Sequence, residues 1–213
     1  MKGKFVVLEG MNGAGKTTQA PRVTQLIESL GHKVRQAKDP ESGPLGHYLR
    51  PILKNPESYP NGLSRRSEFL LFAAIKVDMI EQVILPTLAS GTSLVSDRFN
   101  LGIFAYQGYS LRSPTEWIEW QQMEDMMLPV LRPAWPDLTL LLDIPPEVSL
   151  ARTRADRGEG RRYDDMDLQE KKRIREGYLY YKELPNVVVI NGNQPPNDVF
   201  AEIRPHVERL MAA

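Results

Sequence analysis

The chain has 213 residues, room for one large domain or two small ones, and its 41% hydrophobic and 25% charged residues are the proportions of an ordinary soluble globular protein. Its 27 basic and 27 acidic residues give a formal net charge of zero, so no global field draws it to nucleic acid or an anionic membrane, and a polyphosphate would have to be held by local arginine clusters. The absence of cysteine excludes disulfides, thiolate metal sites and a thiol nucleophile, and it fits a reducing cytoplasm.

In chain order, Phe5-Val6-Val7-Leu8 is an apolar, β-branched run of the kind that forms a buried parallel strand. It begins so near the N-terminus that no signal or transit peptide is expected before the fold. Gly10-Met11-Asn12-Gly13-Ala14-Gly15-Lys16-Thr17 follows and matches the phosphate-loop pattern G-x-x-x-x-G-K-[ST]. After it, Val23, Leu26, Ile27 and Leu30 recur at helical spacing and predict a helix over 17–31. Strand, Gly-rich loop and helix together form an anion cradle, because glycines let backbone N–H groups turn inward and the helix N-terminus adds its positive end. The expected donor is ATP, lined by Gly10, Asn12, Gly13, Ala14, Gly15 and Thr18, with Lys16 on the β- and γ-phosphates and the Thr17 hydroxyl on Mg²⁺.

A weaker strand is expected at Lys33–Ala37, and residues 38–62, rich in Pro, Gly, Asn and Ser, read as a loop around one short helix at 45–54. A long helix over 64–90 leads to the strand Ser93–Ser96, a helix over 114–128 leads to the strand Leu138–Leu142, and further helices cover 146–157, 166–183 and 196–211 around a last strand at Val187–Ile190. This alternation predicts a single α/β domain over 1–213, with a five-stranded parallel sheet flanked by helices. No apolar run approaches the ~20 residues needed to span a bilayer. The charged, Gly-containing stretch 155–165 is too polar to pack and is expected to form a mobile lid over about 152–165.

Ligands of open α/β sheets bind outside the carboxyl ends of the strands, which puts Asp97-Arg98 opposite the phosphate loop. Asp97 is suited to hold Mg²⁺ through water and Arg98 to fork onto an acceptor phosphate; a surface ion pair is the plain alternative. Asp143 ends an equivalent strand, with a metal role and a helix N-cap both open. The lid supplies Arg152, Arg154, Arg157, Arg161 and Arg162, some to neutralise charge on a moving phosphoryl group and others as a solvated basic face.

These blocks together resemble the thymidylate kinase family. Its opening E-G-x-[DE]-G-[AS]-G-K-[ST]-T appears at Glu9–Thr18, and its D-R-[YH]-x-x-S-x-x-A-Y-Q-G block at Asp97–Gly108. Its P-D-L-T-x-x-L-D strand appears at Pro136–Asp143, and its lid R-x-R … R-G-E-x-D-R-[FY]-E at Arg152–Arg154 and Arg157–Asp164. The resemblance implies a P-loop kinase fold and transfer of phosphate from ATP to dTMP, giving dTDP in dTTP synthesis. It implies that Arg98 holds the acceptor 5′-phosphate, that Asp97 organises Mg²⁺ together with Thr17, and that Phe72 stacks on the base. Lys76 then stands at the base O4, Tyr106 by the sugar, Gln107 at the base end of the pocket and Tyr163 on the acceptor side. Arg152 is placed on ATP, and Arg154 or Arg157 supplies the catalytic guanidinium, the phosphate loop having none. A homodimer through helices near the acceptor site is also implied, where Trp117, Trp120, Met123, Met126 and Met127 supply apolar surface that would serve an internal core equally.

The departures from the pattern cluster around the acceptor. Asn12 replaces an acid, Lys76 an arginine, Gly102 a serine, Phe99 a tyrosine or histidine, and Arg161 the lid aspartate. Lys38-Asp39-Pro40-Glu41-Ser42-Gly43-Pro44 replaces the family's D/R-x-P-G-G-T and loses a second arginine-like phosphate contact. Lysine can donate to a carbonyl but lacks the arginine fork. Two further readings follow, a kinase of another or modified deoxypyrimidine monophosphate and a nucleotide-binding regulator without catalysis.

Overall fold

The computed structural model describes residues 2–54, 63–109, 116–155 and 166–213. Five strands, β1 (Phe5–Glu9), β2 (Val34–Lys38), β3 (Ser93–Asp97), β4 (Leu138–Asp143) and β5 (Val187–Asn191), form one parallel sheet in the order β2-β3-β1-β4-β5. Every expected strand is present within a residue or so of its expected bounds. β1 is buried along its whole length because β3 and β4 pair on its two sides and helices cover both faces, which is why its sequence is continuously apolar rather than alternating.

The helices are α1 (Lys16–Ser29), α2 (Pro44–Lys54), α3 (Arg65–Met79), α4 (Leu85–Ala89), α5 (Leu101–Ile103), α6 (Glu116–Leu131), α7 (Pro146–Ala155), α8 (Leu168–Tyr180) and α9 (Pro196–Ala212). Two expectations change. The segment expected as one helix over 64–90 has a π-helical turn, Ile80–Ile84, between α3 and α4. Residues 101–108, where no helix was expected, are helical, α5 running into a second π-helical turn at Phe104–Gly108. The glycines at both ends of this segment hide the helical period in the sequence, and packing decides instead: Leu101, Ile103, Phe104 and Ala105 are all buried. The proposed lid lies almost wholly in 156–165, outside the described residues.

Two close approaches fix the geometry around the centre of the sheet. Gly10 leaves β1 with φ +133°, and a Cβ there would stand 2.3 Å from the Leu142 carbonyl oxygen of β4, so only glycine lets the chain turn there. On α8, a Cβ at Gly177 would stand 2.8 Å from Tyr109 Cβ and 3.1 Å from Ala105 Cα, so α8 lies directly against the Phe104–Gly108 turn. Gly177→Val is expected to lower stability by about 2 kcal/mol through overpacking. Urea unfolding measures it, and a midpoint equal to the parent's would contradict this packing.

Candidate active site

The carboxyl ends of the strands bring Glu9, Asp39, Asp97 and Asp143 to one rim of the sheet, and the phosphate loop closes over the end of β1. Gly15 takes the left-handed conformation (φ 95°) as N-cap of α1, and the Thr18 and Gln19 N–H groups bond its carbonyl, so the loop enters the helix without a side-chain cap. Lys16 is buried, and its ammonium donates to the Gly10 and Met11 carbonyls at 2.9 Å each. Its charge is thus held by loop dipoles at the mouth of the anion cradle. The Thr17 hydroxyl donates to Asp97 Oδ2 at 2.7 Å. A hydroxyl and a carboxylate this close are two hard oxygen donors suited to the shell of one Mg²⁺, so the pair expected from sequence fits the ion. Among the described residues there is no group of three or more His, Cys, Asp or Glu arranged as a metal site.

Arg98 is the hinge of the acceptor side. It has φ 75°, uncommon for a residue with a side chain, and is pinned there by its own N–H to the Leu8 carbonyl (2.9 Å) and by the Ser96 hydroxyl to its carbonyl (2.7 Å). Its guanidinium donates to the Tyr178 phenol at 2.7 Å and to Asn12 Oδ1, and lies 5.2 Å over the Tyr106 ring. Burial opposes this charge, but Tyr178, Tyr106, Glu9 and Asp97 together outweigh it and raise the Arg98 pKa well above its ordinary value. Burial also pushes the Tyr178 phenol well up, against the opposing pull of Arg98, so Tyr178 keeps its proton and donates it to Glu9 Oε2 at 3.3 Å. Glu9, wholly buried, further accepts from the Phe99 and Gly102 N–H groups at 3.0 and 3.2 Å. Tyr106 meets the loop as well, its phenol oxygen accepting from the Asn12 N–H at 3.2 Å.

Of the base-pocket residues, Phe72 is half-buried on α3, Lys76 is fully buried and ion-paired with Asp39, and Gln107 donates to Glu68 Oε1 at 3.0 Å. On the donor side, Arg152 of α7 donates to the Gly13 carbonyl (3.0 Å) and, more weakly, to the Gly192 carbonyl (3.4 Å), whereas Arg154 is exposed. Arg157, Arg161, Arg162 and Tyr163 lie outside the described residues, as do the side chains of Trp117 and Trp120. Asp143, at the end of β4, is engaged by Arg175 of α8. It accepts a two-pronged bond from Arg175, Nε to Oδ1 at 2.8 Å and Nη2 to Oδ2 at 2.7 Å.

Sequence reading missed Glu9 as a hub, and with it Asp39, Glu68, Ser149, Lys171, Arg175 and Tyr178. Ser149 donates to the Asn12 carbonyl at 2.8 Å, and Lys171, buried on α8, stands 3.4 Å from the Ser149 and Thr153 hydroxyls. Only Glu9 carried a visible signal, as a charged residue closing an otherwise apolar strand.

A model of the family described as thymidylate kinase matches residues 8–203. The chain belongs to the thymidylate kinase family. It is 34% identical over 212 residues to a thymidylate kinase of Legionella pneumophila (strain Corby), covering 99% of this chain and 97% of that one. It is also 34% identical to one from Maridesulfovibrio salexigens, over 97% and 96% of the two chains, and 32% identical to one from Carboxydothermus hydrogenoformans, over 99% of each. In this thymidylate kinase family member the Glu9 hub should be the most costly polar position to empty. Glu9→Ala leaves two buried N–H groups and Arg98 without their carboxylate and is expected to cost about 3 kcal/mol or more, read by thermal or urea unfolding. A loss below about 1 kcal/mol would show that the hub does not hold the site together.

Proposed function

We propose that this chain transfers the γ-phosphoryl group of ATP to dTMP, giving ADP and dTDP, with the roles set out below. The supporting observation is the contact of Arg98 with Asn12, which lays the arginine for the acceptor phosphate directly against the loop for the donor phosphates. Two anions that must meet in line need such juxtaposed cationic and N–H groups more than they need a base, since the attacking phosphate oxygen is already ionised at neutral pH.

Lys16 exchanges its loop carbonyls for the β- and γ-phosphate oxygens, and the loop N–H groups hold the remaining charge. Thr17 and, through water, Asp97 would hold Mg²⁺, which would supply further charge neutralisation on the donor phosphates. Arg98 is aimed by Tyr178 and Asn12, and it orients the acceptor phosphate. Because Asn12 is neutral, that phosphate replaces a hydrogen bond rather than an ion pair when it arrives. Arg152 steadies the loop and the ATP, while Arg154 or Arg157 covers the transferring group. Phe72 stacks on the base, with Lys76 and Gln107 at its edge, Tyr106 by the sugar and Tyr163 on the acceptor side.

Action in the cytoplasm is assigned on the cysteine-free sequence, and among the described residues no helix is long and apolar enough to cross a membrane. A homodimer through helices beside the acceptor site is proposed on the family resemblance.

Lys16→Ala and Arg98→Ala are each expected to lower kcat/KM for dTMP by about 10²–10³ in a coupled ADP-release assay, with dTDP identified directly. Chelation of Mg²⁺ is expected to abolish turnover. A near-parental rate for Lys16→Ala would overturn the assignment.

A further inference from the structure

The phosphate loop rests on α7. A Cβ at Gly13 would stand 3.1 Å from Arg152 Cβ and 3.5 Å from the Ser149 carbonyl oxygen, so the loop lies directly against that helix. Its carbonyls are held one after another. Lys16 takes those of Gly10 and Met11 at 2.9 Å each, the Ser149 hydroxyl takes that of Asn12 at 2.8 Å, and Arg152 takes that of Gly13 at 3.0 Å. The kinase reading above has Lys16 leave the first two for the phosphates of ATP. The other two are held from α7 and do not depend on Lys16.

Ser149 is wholly buried, and its hydroxyl has one proton to give. Inside a helix such a proton often goes back to the carbonyl one turn earlier. Thr153, one turn along the same face, does this, donating to the Ser149 carbonyl at 2.8 Å. The Ser149 proton instead leaves the helix for the loop. Lys171 of α8, 3% exposed, brings its ammonium to 3.4 Å from both hydroxyl oxygens. An ammonium only donates, so it occupies a lone pair on each hydroxyl and leaves each proton to a carbonyl.

The Asn12 carbonyl and the Gly13 N–H belong to one planar trans peptide and point to opposite sides of the chain. Drawing the carbonyl to α7 turns the N–H away from α7, to the inner side of the cradle. Building on the kinase reading, we propose that Ser149, backed by Lys171, is a positioning residue for the donor: it fixes the Asn12–Gly13 peptide with its N–H aimed at the ATP phosphates while Lys16 is engaged on them. Ser149 touches no reacting atom. Its effect falls on ATP rather than on dTMP, because Asn12 meets the acceptor side through its N–H on Tyr106 and its side chain on Arg98, neither of which Ser149 bonds.

The test compares the full-length parent with Ser149→Ala, Lys171→Met and the double variant. Each is titrated calorimetrically with ATP and Mg²⁺ in the absence of acceptor. Initial rates are then measured with ATP and dTMP varied in turn, the other held at saturation. Ser149→Ala removes one oxygen and places the best helix former on α7, so it is expected to fold like the parent. It is expected to raise the Kd and KM for ATP about tenfold and to change the KM for dTMP by less than about twofold. Lys171→Met is expected to raise the ATP constants by about threefold or more, and the double variant to match the larger single effect, because the two side chains act as one unit. A general loosening of the site moves both substrates together, so the split between them separates positioning from mere stability. Ser149→Ala against the parent decides even where Lys171→Met fails to fold. An ATP Kd within about twofold of the parent's, an equal rise in the dTMP constant, or single effects that multiply in the double variant overturns this inference and leaves the kinase reading intact. No phosphorylation of dTMP by the parent overturns the kinase reading, and the ATP titration still decides the role of Ser149.

Discussion

Glu9 ends the central strand with a carboxylate that water does not reach, and the rest of the site is arranged around that fact. A buried carboxylate needs donors, and it has three, from the Phe99 and Gly102 backbone and the Tyr178 phenol. The backbone donors draw the chain after β3 back over the end of β1. The turn that does this is the one at Arg98, whose N–H bonds the last apolar residue before Glu9, Leu8. Helical residues 101–108 follow because the chain has been redirected there, and Tyr106 and Gln107 are set facing the loop and α3 respectively. Arg98 in turn balances the charge it sits beside, so a feature that would destabilise a core alone becomes the support of the phosphate site.

The fold was legible because its signals are local and repeated. Strands buried on both faces read as unbroken apolar runs, and the loop between Gly10 and Thr17 must be rich in glycine for steric reasons such as the Gly10 approach to Leu142. The family resemblance rested on that loop and on three further local blocks, at 97–108, 136–143 and 152–164. What stayed hidden was pairing across long separations. Tyr178 meets Arg98 from 80 residues away, Lys76 meets Asp39 from 37, and Gln107 meets Glu68 from 39. Nothing in the neighbourhood of Glu68 or Asp39 marks either as a partner, since an acid near a loop or on a helix is ordinarily a solvated one. Asp143 shows the same limit from the other side: its position at a strand end suggested a ligand or a cap, and Arg175, 32 residues on, takes both its oxygens.

The departures from the family pattern gain physical meaning once placed. Asn12 and Lys76 both stand where a stronger charge arrangement is usual, and each is answered within this chain. Asn12 becomes a neutral acceptor for Arg98, and Lys76 is held by the acid that begins the loop after β2. Substitutions that look like losses when read one at a time are halves of contacts whose other halves lie elsewhere in the sequence.

α8 carries Lys171, Arg175 and Tyr178 at i, i+4 and i+7, a single face of about two turns. Lys171 stands against the hydroxyls that steady the donor loop, Arg175 against the end of β4, and Tyr178 against the acceptor arginine. A helix rises by a fixed 1.5 Å per residue, so this face is a ruler that sets the spacing between the two halves of the reaction. Its outward side is free to drift in sequence, but its length is not. One residue added or lost between Lys171 and Tyr178 would rotate the far mark by about 100° and move it off the site. Descendants of this chain can be expected to differ across that helix in composition and never in count.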